Sequence, residues 1–144
     1  MIRKARLTDL EELVNLGMEF GFLSQKVHTM TVDRTKIINI VYHAVMSPEM
    51  VLLVLEVNNK IEGYLLGAEN TTFFSNDRVL QEMAFFCRKN LGGLKLLKAF
   101  EEEAKRRGIK KIFVGYKPGY VDLKKFYERE GYRLLELQYM KTGV

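Results

Sequence analysis

"RKNLGGLKLLKAFEEEAKRRG", residues 88–108, decides how this chain should be read. Its second half has the pattern of an amphipathic helix, with Gly93, Leu97, Phe100 and Ala104 on one face. Glu101, Glu102 and Glu103 each stand four residues before a cation (Lys105, Arg106, Arg107), an arrangement worth about 0.3 kcal/mol per pair. Gly108 is placed to end the helix. The glycines at its mouth, Gly92 and Gly93, need a reason, because Ser or Asp would cap better. One reason is chemical. Glycine exposes the first free N–H groups, the helix dipole adds about half a positive charge, and Arg88 and Lys89 add full ones, which together suit a phosphate or pyrophosphate. The other is steric, since paired glycines let a helix press closely on a sheet. A glycine pattern this short leaves both open.

Outward from this stretch, "VLQEMAFFC" (79–87) reads as an apolar strand leading straight into it, and "IKKIFVGY" (109–116) as the strand that follows. "KPGY" (117–120) is a turn, "DLKKFYERE" (122–130) a short helix closed by Gly131, and "YRLLELQYMK" (132–141) a final strand. Upstream, "IRKAR" (2–6) alternates as a short strand. "LTDLEELVNLGMEF" (7–20) is a helix with Thr8 as N-cap and Glu11 completing a capping box. Residues 21–31 read as loop or irregular helix, and 32–49 as a helix capped by Asp33 that ends before Pro48. "MVLLVLEV" (50–57) and "IEGYLLGAEN" (61–70) form a hairpin around "NNK", and "TTFFSND" (71–77) is a polar loop. The order β-α-α-β-β-β-α-β-α-β describes a mixed sheet with helices on its faces.

With 144 residues, 47% hydrophobic and 28% charged, one soluble domain over 1–144 is expected. No apolar run is long enough to span a bilayer, and the opening "MIRKARLTDLEELV" lacks the apolar core of a secretory signal, so the expected compartment is the cytoplasm. The single cysteine, Cys87, excludes an internal disulfide and a cysteine-based zinc cluster, and in its apolar strand it reads as a small buried hydrophobe. His28 and His43 have no ligand spacing, so no metal is expected. The net charge of +5 is spread among acidic residues along the chain and does not by itself choose a partner.

These elements in this order resemble the GNAT superfamily of acyl-CoA N-acyltransferases, and more narrowly the small acetyltransferases often encoded by bacteriophages. "MIRKARLTDLEELVNL" resembles the family's first strand and helix, and "VLEVNNKIEGYLLG" its central hairpin. "EMAFFCRKNLGGLKLLKAFEEEAKRRGIKKIFV" resembles the acetyl-CoA-binding motif, and "KKFYEREGYRLLELQYMK" the closing helix and strand. The resemblance implies an α/β fold with a mixed, mostly antiparallel sheet of six to seven strands flanked by about four helices. It implies acetyl-CoA as cosubstrate, held by Arg88, Lys89, Asn90, Leu91, Gly92 and Gly93, with Phe85, Phe86 and Cys87 along the pantetheine arm. With Arg88 at the first position of the family's phosphate loop and Gly93 at the last, Leu91 stands where the first glycine belongs; a shortened loop is the other register.

Acyl transfer to an amine requires that the amine lose a proton, the oxyanion be steadied and the departing thiolate be protonated. The resemblance puts Glu82 at the position of a general base and Tyr127 at that of the tyrosine that protonates the coenzyme A thiolate. The plain readings beside these are a solvent-facing strand glutamate and a core aromatic. The function expected is therefore N-acetylation of a primary amine, small or peptidic, by direct attack in a ternary complex. The alternative is a catalytically inactive relative that binds coenzyme A or a protein partner. The resemblance places acceptor contacts in 21–31 and 71–77 and brings in a homodimer through the closing strand. Neither nucleic acid nor membrane is an expected partner, as no recognition motif or aromatic-basic stripe is present.

Overall fold

The computed structural model describes residues 1–88 and 92–144. Five strands, β1 (Ile2–Lys4), β2 (Met50–Val57), β3 (Lys60–Thr72), β4 (Ser75–Cys87) and β5 (Lys111–Phe113), form one sheet in that spatial order. The first four are antiparallel neighbours and β5 runs parallel to β4. Helices α1 (Leu10–Leu23) and α3 (Arg34–Met46) cover one face, with the single turn α2 (Gln25–His28) between them. Helix α4 (Gly93–Arg106) covers the other face, and α5 (Lys124–Arg129) follows β5.

The apolar run of β2 explains the two layers. Leu52 and Val54 join Leu13, Val14, Leu16 and Val41 in one core, while Val51, Leu53 and Leu55 join Leu96, Phe100 and Ala104 in the other. A strand buried on both faces reads as continuous rather than alternating hydrophobicity. Asn58 and Asn59 turn the β2–β3 hairpin with φ of 52° and 62°, a left-handed pair that Asn tolerates well. Asp33 accepts a hydrogen bond from the Lys36 N–H and caps α3, as its position predicts. Among the described residues no helix is long and apolar enough to cross a membrane.

Four expectations need correction. The first helix begins at Leu10 rather than at a Thr8 cap: Asp9 bonds back to the Arg6 N–H, and the Arg3 guanidinium grips its carboxylate at 2.7 and 2.9 Å, so residues 7–9 form a 3-10 turn. Residues 71–77 are the tip of a long β3–β4 hairpin, because ladder pairing continues to Thr72 and Ser75. Of the three expected four-residue ion pairs on α4, only Glu103 with Arg107 forms. Glu103 is 7% exposed and also draws in Arg106 and Lys4, while Lys105 turns back to Glu102. Lastly, the sheet has five strands rather than six or seven, and the described helices number five α-helices rather than four. Residues 132–141 carry strand-like composition, yet Leu134, Leu135, Leu137 and Tyr139 are all exposed and no ladder includes them. A strand is defined by an edge to pair with, and β5 is only three residues long.

Candidate active site

The site begins where β4 and β5 part. Val79, Leu80 and Gln81 pair with Lys111, Ile112 and Phe113, and the ladder stops there. On its other side, β4 shifts register against β3 between Ala84 opposite Leu66 and Glu82 opposite Gly67, which leaves Met83 as an extra residue. Such a bulge bends the strand and re-aims its side chains. Beyond it, Phe85 and Cys87 pack toward α4 while Ala84 and Phe86 pack toward α1 and α3. The strand therefore opens away from residues 114–116 with Glu82 at the point of divergence.

Gly115 joins the two sides of the opening. Its N–H donates to Glu82 Oε1 at 3.0 Å, and its carbonyl accepts the Tyr127 hydroxyl at 2.9 Å. Glu82 is half-buried, and burial raises its pKa above the ordinary glutamate range, against the opposing pull of the Gly115 N–H and the Lys117 charge. Tyr127 is 6% exposed among the rings of Phe126, Tyr116 and Tyr132. Burial foremost, then the Glu82 charge, pushes its phenol well above the ordinary tyrosine value, so it keeps its proton. A group disposed to take a proton and a group disposed to hold one thus flank a single glycine.

The mouth of α4 divides the two explanations of its glycines. A Cβ on Gly92 would lie 2.0 Å from Leu55 Cδ2, so Gly92 is required by packing of the helix on β2. A Cβ on Gly93 would meet only Phe85 Cζ at 3.6 Å, an ordinary contact. Among the described residues no side chain caps this end of the helix, and its first N–H groups have no intrahelical acceptors. Phe85 beside Gly93 faces Phe126, 6.5 Å between ring centroids. Arg88 is directed elsewhere: its Nε bonds Glu19 at 2.8 Å and its Nη1 lies 3.8 Å from Glu62. Lys89, Asn90 and Leu91, expected in the same turn, lie outside the described residues.

The structure thus brings Glu82 and Tyr127 together through Gly115 and places Phe85, Phe86, Cys87 and Gly93 along the strand and helix that lead away from them. Gly115 was missed in the sequence because it reads as the last part of a strand; the signal available was a glycine where that strand meets "YKPGY". A hollow of about 480 Å³ elsewhere, between the C-terminal half of α4 and β5, is lined by Ala104, Ile109 and Ile112 and includes none of these groups.

No family model and no curated protein matches the sequence. Solved structures do match its fold over nearly the whole length. A predicted acetyltransferase from Clostridium acetobutylicum, solved with acetyl-CoA, is 20% identical with a TM-score of 0.73, covering 96% of this chain and 95% of its own. A GNAT-family acetyltransferase from Staphylococcus aureus is 20% identical with a TM-score of 0.70, covering 99% and 97%. The ribosomal-protein-alanine N-acetyltransferase of Brucella melitensis is 15% identical with a TM-score of 0.74, covering 99% of each chain. The chain has the fold of the GNAT acetyltransferases.

Proposed function

We propose that this protein is an N-acetyltransferase that moves an acetyl group from acetyl-CoA to a primary amine by direct attack in a ternary complex. The observation that carries the reading is the Gly115 junction, with Glu82 on its N–H and the Tyr127 hydroxyl on its carbonyl at the point where β4 leaves β5. Acetyl-CoA supplies the activated thioester. The start of α4 at Gly93 takes the pyrophosphate, and the backbone of Phe85, Phe86 and Cys87 on β4 runs along the arm. Glu82, raised in proton affinity by burial, accepts the proton of the acceptor ammonium. Tyr127, whose phenol stays protonated, donates to the departing thiolate. The nitrogen–carbon bond forms as the carbon–sulfur bond breaks; the nitrogen then gives up its second proton, which restores the Tyr127 phenol, and the proton held by Glu82 passes to solvent.

The test is a thermal-shift titration with acetyl-CoA, with ADP and buffer as controls, followed by thiol-release assays. Ligand at about 100 times its dissociation constant stabilises by roughly 2.7 kcal/mol, several degrees for a domain of this size. Glu82→Gln and Tyr127→Phe are expected to keep that shift and to lose thiol release, Glu82→Gln by about 100-fold or more. A shift with no release from any amine would instead favour an inactive relative that binds coenzyme A. No shift at all would remove the acetyl-CoA reading. One observation favours the non-catalytic alternative: Arg88 is held by Glu19 rather than standing free at the helix start. The exposed Leu134, Leu135, Leu137 and Tyr139 support a homodimer through the closing segment, which light scattering would detect as a doubled mass.

A further inference from the structure

The α1 side of β4 carries a set of side chains that the transfer steps above do not use. Tyr64 on β3 is only 6% exposed, and its hydroxyl makes no hydrogen bond with any described residue. Burial foremost, then the Glu82 carboxylate and the Tyr120 phenol, pushes the Tyr64 phenol above its ordinary range. From Tyr64 an aromatic wall runs outward. Phe86 lies 6.3 Å from Tyr64, Phe20 stacks on Phe86 at 5.3 Å, and Tyr120 tilts against Phe20 at 5.9 Å.

At the outer end of the wall, Lys117 Nζ sits over the Phe20 ring, 5.4 Å from its centroid. The loop that carries it is held across α2: the Tyr120 and Val121 N–H groups bond the Lys117 carbonyl, and a Cβ on Gly119 would touch Val27 at 3.1 Å. Aromatic faces attract cations, and the chain's own alkylammonium already occupies this one. Tyr64 and Phe86 belong to the core beneath α1 and α3, on the opposite side of the sheet from α4 and its open N-terminus.

We propose that this wall is the seat of the acceptor, which is a primary ammonium on an unbranched alkyl arm. Its nitrogen donates a hydrogen bond to Tyr64 Oη beside Glu82, its arm lies along Phe86, Phe20 and Tyr120, and Lys117 is an internal occupant of the mouth that it displaces. The inference deepens the N-acetyltransferase reading and rests on it for the fate of the seated nitrogen. The same ammonium is carried by a free diamine and by a peptide lysine, and the experiment has an arm for each.

Calorimetric titrations of 1,5-diaminopentane and of Nα-acetyl-lysine methylamide, each with and without coenzyme A, test the seat directly. At least one of the two amines is expected to bind, with glycine and glutamate failing to do so. Tyr64→Phe, which removes only the oxygen, should weaken binding about tenfold. Phe20→Leu should weaken it also, Lys117→Met should tighten it, and all three variants should keep the wild-type response to acetyl-CoA. Unchanged binding in Tyr64→Phe overturns the proposal, as does weaker binding in Lys117→Met, which would mean that Lys117 holds an anionic acceptor. Failure of both amines to bind a protein that still shifts with acetyl-CoA overturns the seat and leaves the transferase reading standing. Amine binding without any acetyl-CoA shift does the reverse.

Discussion

The two ends of α4 are built from opposite materials. At its C-terminus, Gly108 adopts φ of 71°, its N–H bonds the Lys105 carbonyl, and the Ile109 N–H bonds that of Ala104, the paired bonds of a Schellman stop. Arg107, with 10% of its side chain exposed, then ties the helix to Glu103, to Glu69, and to the Pro48 and Met50 carbonyls. At its N-terminus no side chain of the described residues satisfies the first N–H groups. One helix thus has an end closed on the protein itself and an end without a side-chain cap among the described residues, and the latter lies beside Phe85 of the strand that carries Glu82. The ion pairs and carbonyl contacts of Arg107 are gathered at the closed end.

The largest effect that would break this comparison comes from the closed end. Arg107→Ala leaves Glu103 and Glu69 short of their shared cation and is expected to cost about 2–3 kcal/mol, read as a lowered urea midpoint, while leaving the acetyl-CoA response of the folded protein intact. The same cluster dictates an acid dependence. Arg106 first, then Arg107 and Lys4, hold the folded Glu103 carboxyl at about 2, below its ordinary 4.5. A carboxyl depressed in the folded state contributes its full stability above the ordinary value and loses it as the pH falls toward the folded one. Melting temperature should therefore drop between about pH 4.5 and 2 in the wild type and drop less in Glu103→Gln.

Effects at the open end are smaller and differ between adjacent glycines. Gly92→Ala drives a methyl into Leu55 and is expected to cost about 1–3 kcal/mol by overpacking. Gly93→Ala, with an ordinary contact to Phe85, should change stability by no more than about 0.5 kcal/mol. If the open end holds the pyrophosphate, Gly93→Ala will still weaken acetyl-CoA binding in a titration, because the methyl stands before the free N–H groups. Equal acetyl-CoA affinity in Gly93→Ala and wild type would remove that role from this end.

Much of this architecture was legible from local pattern. The apolar stripe of α4, the Gly108 stop, the Asp33 cap and the Asn58, Asn59 turn each depend on residues within a few positions of one another, and each appears where the pattern put it. Glu82 and Tyr127 were named from resemblance, but their common attachment to Gly115 was not visible, since it joins three segments far apart in the chain. The Tyr64 wall was missed for the same reason. Phe20, Tyr64, Phe86 and Tyr120 look like unrelated core aromatics until α1, two strands and a loop are folded together.

By itself, the sequence determined the long helices α3 and α4, the apolar strands β2 to β4, and that one glycine-led helix follows a buried strand, because periodicity and capping act over one or two turns. Tertiary structure alone decided the rest. The bulge at Met83 exists only as a mismatch between two ladders. The need for glycine at 92 exists only because Leu55 presses on it. The partner of Arg88 is set by where α1 places Glu19, 69 residues away in the chain, and 132–141, strand-like in composition, joins no ladder.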